Sequence, residues 1–153
     1  TPGAVPADEE HCGGELGEAL PGALALVGFS KGAAVLNALL RESTSEAAFW
    51  GRVEAVHYLD AGLNVPGIFP ARPEALRGLS SCAREGFAVW LHSTPRQLED
   101  PRRPFIAEEA RAFAERCEAA GLRVERRTYG EGRPQSLDMH FDTVRCFLTH
   151  DGD

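Results

Sequence analysis

Apolar residues come in short blocks along this chain, and the spacing inside the blocks alternates between two kinds. "ALALVGF" (Ala23 to Phe29) is a continuous apolar run, which reads as a strand buried on both faces. "KGAAVLNALLRE" follows at once as a mostly buried helix, and "VEAVHYLD" (Val53 to Asp60) is again strand-like. A Pro/Gly loop leads to "RPEALRGLSSCAREG". There Pro73 falls in a first helical turn, Leu76, Leu79 and Cys82 share one face, and Gly86 is placed to stop the helix. "FAVWLHS" (Phe87 to Ser93) is the next strand. "AEEARAFAERCEAAG" is the next helix, with acids in its first turn and Gly121 at its end. "LRVERRTY" alternates Leu122, Val124 and Arg126 against Arg123, Glu125 and Arg127, the pattern of an edge strand wet on one side. "HFDTVRCFL" closes the chain with Phe141, Val144, Phe147 and Leu148 on a short helix.

Strand followed by helix, four times over, predicts an α/β fold with a parallel sheet. The first twenty residues are rich in Pro, Gly and acids without a period. They read as a linker or flexible end, which leaves residues 21–150 as the folded domain. The remaining composition, with 43% hydrophobic residues in 153, fits one globular unit.

Charge narrows the function classes. A formal net charge of -7 argues against a nucleic-acid partner, and the basic clusters Arg102-Arg103 and Arg123 with Arg126-Arg127 are too short to reverse it. No apolar run reaches membrane-spanning length. Cys12, Cys82, Cys117 and Cys146 form no C-x-x-C pair, so neither a zinc site nor a redox dithiol is indicated and reduced thiols are expected.

The candidate chemistry lies where the first strand gives way to the first helix. Gly28-Phe29-Ser30-Lys31-Gly32 is a G-x-S-x-G sequence at a strand-to-helix turn, the context of a nucleophile elbow. Such a turn lifts the serine hydroxyl above the sheet, the two glycines leave room for neighbouring backbone, and the N–H of Lys31 is offered to a developing oxyanion. The Lys31 ammonium is read as a solvent-facing charge or a contact for an acidic substrate.

An elbow serine needs a base, and the base an acid, in the order Ser, Asp/Glu, His. His140 follows the last strand and is the candidate base. His57 and His92 fall inside strands as sheet-face residues, and His11 and His150 lie near the ends. Asp100 follows the third strand in a loop held by Pro95 and Pro101, and it is the preferred acid. Asp60, at the end of "VEAVHYLD", is the alternative, with Glu99 and Asp138 as further rivals.

The segments "LVGFSKGAAVLNALL", "YLDAG", "HSTPRQLEDPRRPF" and the late "HF" resemble the UPF0565 family, a vertebrate group known by its human chromosome 2 open reading frame. The resemblance covers about Leu24 to Leu148. It implies an alpha/beta-hydrolase-like fold with Ser30, Asp100 and His140 in the triad positions, and a mitochondrial location. A complete fold of that kind has strands before its nucleophile, and these carry a second oxyanion donor. Here about twenty residues precede the elbow strand, so the chain reads as the carboxyl-terminal half, with a missing amino-terminal half or a partner expected to cover the sheet edge. The expected activity is hydrolysis of an ester, thioester or amide acyl substrate, with no metal or organic cofactor implied. The rival is a noncatalytic scaffold that binds a protein partner. A weaker third reading is a doubly wound domain holding an anion at a helix N-terminus, for which the G-x-G-x-x-G spacing is lacking.

Overall fold

The computed structural model describes residues 22–69 and 72–150. The expected flexible end at 1–20, with His11 and Cys12, lies outside them, as does the side chain of His150. The order is β1 (Leu24–Phe29), a 3-10 turn (Ser30–Gly32), α1 (Ala33–Arg41), α2 (Ala47–Trp50), β2 (Val53–Leu59), α3 (Pro73–Cys82), β3 (Ala88–Ser93), α4 (Pro95–Leu98), α5 (Phe105–Ala119), β4 (Arg123–Thr128) and α6 (Leu137–His150).

The four strands are parallel and lie side by side in chain order. Strands laid down in one direction with crossovers of one hand put the connecting helices on one face. Accordingly Leu36 and Leu40 of α1, Leu76 and Leu79 of α3, and Phe113, Ala114 and Cys117 of α5 share a core with Val56, Tyr58, Val89 and Leu91. The opposite face takes α6, whose Phe147 ring lies 4.9 Å from that of His57 and 5.4 Å from that of His92. Cys117 is fully buried in the core, and burial pushes its thiol up to about 12.

Several elements depart from expectation for local reasons. β1 is not buried on both faces: Ala25 and Val27 are exposed, because β1 is a sheet edge and α6 reaches only its carboxyl end. Val35 and Leu39 leave the outer side of α1 exposed as well. α3 stops at Cys82, and Gly86, with φ at 81°, instead turns the chain into β3. α6 begins at Leu137, where the Ser136 hydroxyl accepts the Met139 N–H, so the helix starts three residues before His140 and not at it. α2 and α4 have four residues each, too short to show a period. β4 is the edge strand its alternation predicts.

His57 and His92 are the buried sheet-face residues expected of them. His57 Nδ1 lies 3.0 Å from His92 Nε2, and His92 Nδ1 lies 2.8 Å from the Tyr129 hydroxyl. Burial, aided by His57 and Arg127, pulls His92 from its usual 6.5 down to about 4. A histidine depressed in this way gives its full contribution above the unfolded value and loses it as the unfolded chain takes up a proton. The urea midpoint is therefore expected to fall between pH 6.5 and pH 4, with about 3 kcal/mol from this residue. A His92→Gln variant should lose that part of the slope, and an unchanged slope would contradict the assignment.

Candidate active site

The site forms where β1, β2 and β3 end together. Phe29 pairs with Leu59 and Leu59 with His92, so Ser30 and Asp60 leave the sheet from adjacent strand ends. Among the described residues these are the two non-glycines with positive φ, Ser30 at 54° and Asp60 at 45°. Left-handed backbone is costly for residues with a Cβ, and persists where surrounding structure imposes it.

At Ser30 the imposition comes from the turn. β1 runs straight into the 3-10 turn, and the Ala33 N–H returns to the Ser30 and Lys31 carbonyls. Gly28 is required by close packing: a Cβ there would stand 2.6 Å from Leu36 Cδ1 and 3.0 Å from the Gly32 carbonyl carbon. The expectation that both glycines make room holds for Gly28 only, since a Cβ at Gly32 would meet nothing within 4 Å. Lys31 is exposed.

His140 is buried in the first turn of α6, with its ring 4.5 Å from that of Phe29, the neighbour of Ser30. Its Nδ1 lies 2.6 Å from Asp60 Oδ2, a geometry in which an N–H on Nδ1 donates to the carboxylate and leaves Nε2 as the outer nitrogen. Asp60 is itself fully buried. Its Oδ1 accepts from the Thr94 N–H at 2.8 Å and the Thr94 hydroxyl at 3.0 Å, and Oδ2 lies 3.0 Å from the same hydroxyl.

Of the two carboxylates weighed in the sequence, the one that meets His140 is Asp60, the alternative, and not Asp100, the preferred one. Asp100 does not meet His140; it accepts from the Arg102 N–H at 2.9 Å, the Arg103 Nε at 2.9 Å and the Arg102 Nε at 3.4 Å. The Arg102 N–H, then the Arg103 side chain, hold its carboxyl down at about 2. The physical reason is the path of the chain after β3: α4 forms at once and carries the loop away, so what stands over the strand end is Thr94 and not Asp100. Of the other acids, Glu99 accepts from Gln135 at 3.2 Å and Asp138 is exposed. Sequence reasoning does not pick out Thr94 and Gln97; their one signal is that "TPRQ" directly follows a strand.

Among the described residues no group of three or more His, Cys, Asp or Glu is placed to hold a metal ion, and no helix is long and apolar enough to cross a membrane.

The C2orf69 family model matches residues 8–123, which takes in the elbow, Asp60 and the Thr94 loop. The chain belongs to the C2orf69 family. Within it, the chain is 35% identical over 130 residues to the zebrafish (Danio rerio) mitochondrial protein C2orf69 homolog, covering 81% of this chain and 38% of the relative. It is 30% identical over 129 residues to the human mitochondrial protein C2orf69, covering 80% of this chain and 33% of the relative. The chain therefore spans about a third of the length of the family members it matches. No solved structure matches it.

The contrast between the two elbow glycines gives a direct test. Gly28→Ala is expected to destabilise the fold by about 1–3 kcal/mol through overpacking against Leu36. Gly32→Ala, with ordinary backbone and open space, is expected to be neutral or to stabilise by about 0.4–1 kcal/mol. Urea denaturation of the two variants checks both, and equal losses would contradict the packing account.

Proposed function

We propose that the chain carries the nucleophile, acid and base of a serine hydrolase with an alpha/beta-hydrolase-like fold, acting on an ester, thioester or amide, in a mitochondrial protein. The observation that carries this reading is the His140–Asp60 pair, with the His140 ring 4.5 Å from that of Phe29, whose chain neighbour Ser30 is in left-handed backbone. In the proposed reaction Ser30 attacks the acyl carbonyl while His140 Nε2 takes its proton. The Lys31 N–H donates to the oxyanion. His140 then returns the proton to the leaving group as its bond to the acyl carbon breaks; water next attacks the acyl-enzyme, His140 takes the water's proton, and it passes that proton to Ser30 Oγ as the acid departs. Asp60 holds the Nδ1 tautomer and stabilises the imidazolium. Support for the location comes from the names of the zebrafish and human relatives.

A second feature bears on what surrounds the site. The two sheet edges differ: β4 presents Arg123, Glu125 and Arg127, whereas β1, "LALVGF", has no charge. Charged edges resist further pairing and apolar ones invite it. Val27 is 46% exposed beside that edge, and Val35 on the adjoining α1 is 62% exposed. The occupant we propose is a strand and helix from the part of the family's length that this chain does not span. That part also supplies the second oxyanion donor. The outward amides of β1 should then be protected from hydrogen exchange in the full-length protein, and rapid exchange there beside a protected β2 would contradict it.

Fluorophosphonate labelling tests the catalytic reading. Ser30→Ala is expected to abolish labelling, and His140→Ala and Asp60→Asn to slow it by about 10³-fold or more. Asp100→Asn should slow it far less than Asp60→Asn. A folded, full-length protein that takes no label would instead favour the scaffold whose elbow is a remnant and whose role is protein binding.

A further inference from the structure

We infer that residues 94–103 form a positioning clamp for Asp60, and that the clamp and the "YLDAG" strand end are complementary halves of one device that sets the carboxylate against His140. The inference rests on the proposed triad for its purpose, and on hydrogen bonds independent of any activity for its existence.

Asp60 sits in left-handed backbone just past the strand, where sheet pairing no longer dictates conformation. Each of its polar groups is taken up. Its N–H reaches the His92 carbonyl at 2.7 Å, and its own carbonyl accepts from Gln97 Nε2 at 3.2 Å. Thr94 grips the carboxylate through both its N–H and its hydroxyl. The grip is backed from behind: Arg103 donates to Gln97 Oε1 at 3.3 Å and to Asp100 Oδ2 at 2.9 Å. Asp60, Thr94, Gln97 and Asp100 are all buried. Buried polar networks satisfied in this way are stiff, because any departure leaves a desolvated group without a partner.

Gly62 identifies the other half. A Cβ on it would lie 1.8 Å from Gln97 Nε2 and 2.8 Å from Gln97 Cδ. Gly62 is not among the glycines with positive φ, so its lack of a side chain serves the approach of the Gln97 amide and not a special turn. The glycine of "YLDAG" and the glutamine of "TPRQ" therefore fit one another across 35 residues of chain. Asp100 gains a role in place of the one first expected of it: held ionised by the Arg102 N–H and Arg103, it anchors the arginine that orients Gln97.

The test follows the proton between His140 and Asp60 in the full chain by NMR with ¹⁵N-labelled histidine. Thr94→Val removes the hydroxyl and keeps the N–H, Gln97→Leu removes the amide, and Thr94→Ser keeps the hydroxyl. Thr94→Val and Gln97→Leu are expected to speed solvent exchange of the His140 Nδ1 proton about tenfold, and Thr94→Ser to restore it. Gly62→Ala, whose Cβ would displace the Gln97 amide and press less closely on Ile106 Cδ1 at 3.0 Å, carries the same expectation should either variant fail to fold. An exchange rate unchanged in folded variants overturns the clamp. Fluorophosphonate labelling run in parallel separates the two proposals. A protein that takes no label but whose proton responds keeps the clamp and loses the hydrolase. One that labels while its proton ignores Thr94 and Gln97 keeps the hydrolase and loses the clamp.

Discussion

The hydrogen bond from His140 to Asp60 joins elements 80 residues apart and fixes what each can do. It ties the first turn of α6, the helix on the otherwise open face of the sheet, to the end of β2 in its middle. A buried carboxylate facing an imidazole in a water-poor site is stabilising only when its remaining lone pairs are also satisfied. Thr94 meets that condition with two donors. The position of β3 relative to β2, the turn into α4 and the entry of α6 must all be correct together for this pair to exist.

Strain and satisfaction are paired on the same strand ends. Ser30 and Asp60 each occupy backbone that a side chain disfavours, at a cost of about 1–3 kcal/mol apiece. The compensation is local in both cases. The tight seat of Leu36 over Gly28 fixes the turn at Ser30, and the Thr94–Gln97 segment fixes the turn at Asp60. Ser30 and Asp60 are thereby held at one rim of the sheet, just past the paired ends of two neighbouring strands.

Periodicity made the fold legible because its signal is repeated many times: four strands, the long helices and the edge position of β4 follow from spacing alone. The elbow was legible because it is local, a strand, a serine between glycines and a helix within a few residues. The acid was not, since Asp60 and Asp100 both follow strands and differ only in how the chain moves next. That path is set by α4, a four-residue helix invisible to periodicity, and by the fit of Gln97 onto Gly62. The apolar run of β1 says that the strand is meant to be covered and not by what, and its exposure is the one expected of an edge strand whose neighbour lies elsewhere.

The claim on which the rest depends is that Asp60, and not Asp100, is the partner of His140. A double-mutant cycle on folding stability measures this without reference to any substrate, using Asp60→Asn and Asp100→Asn, each alone and combined with His140→Ala. The account predicts a coupling of about 0.5–3 kcal/mol between Asp60 and His140, and additivity within about 0.5 kcal/mol between Asp100 and His140. Coupling of His140 to Asp100 with additivity at Asp60 would contradict it.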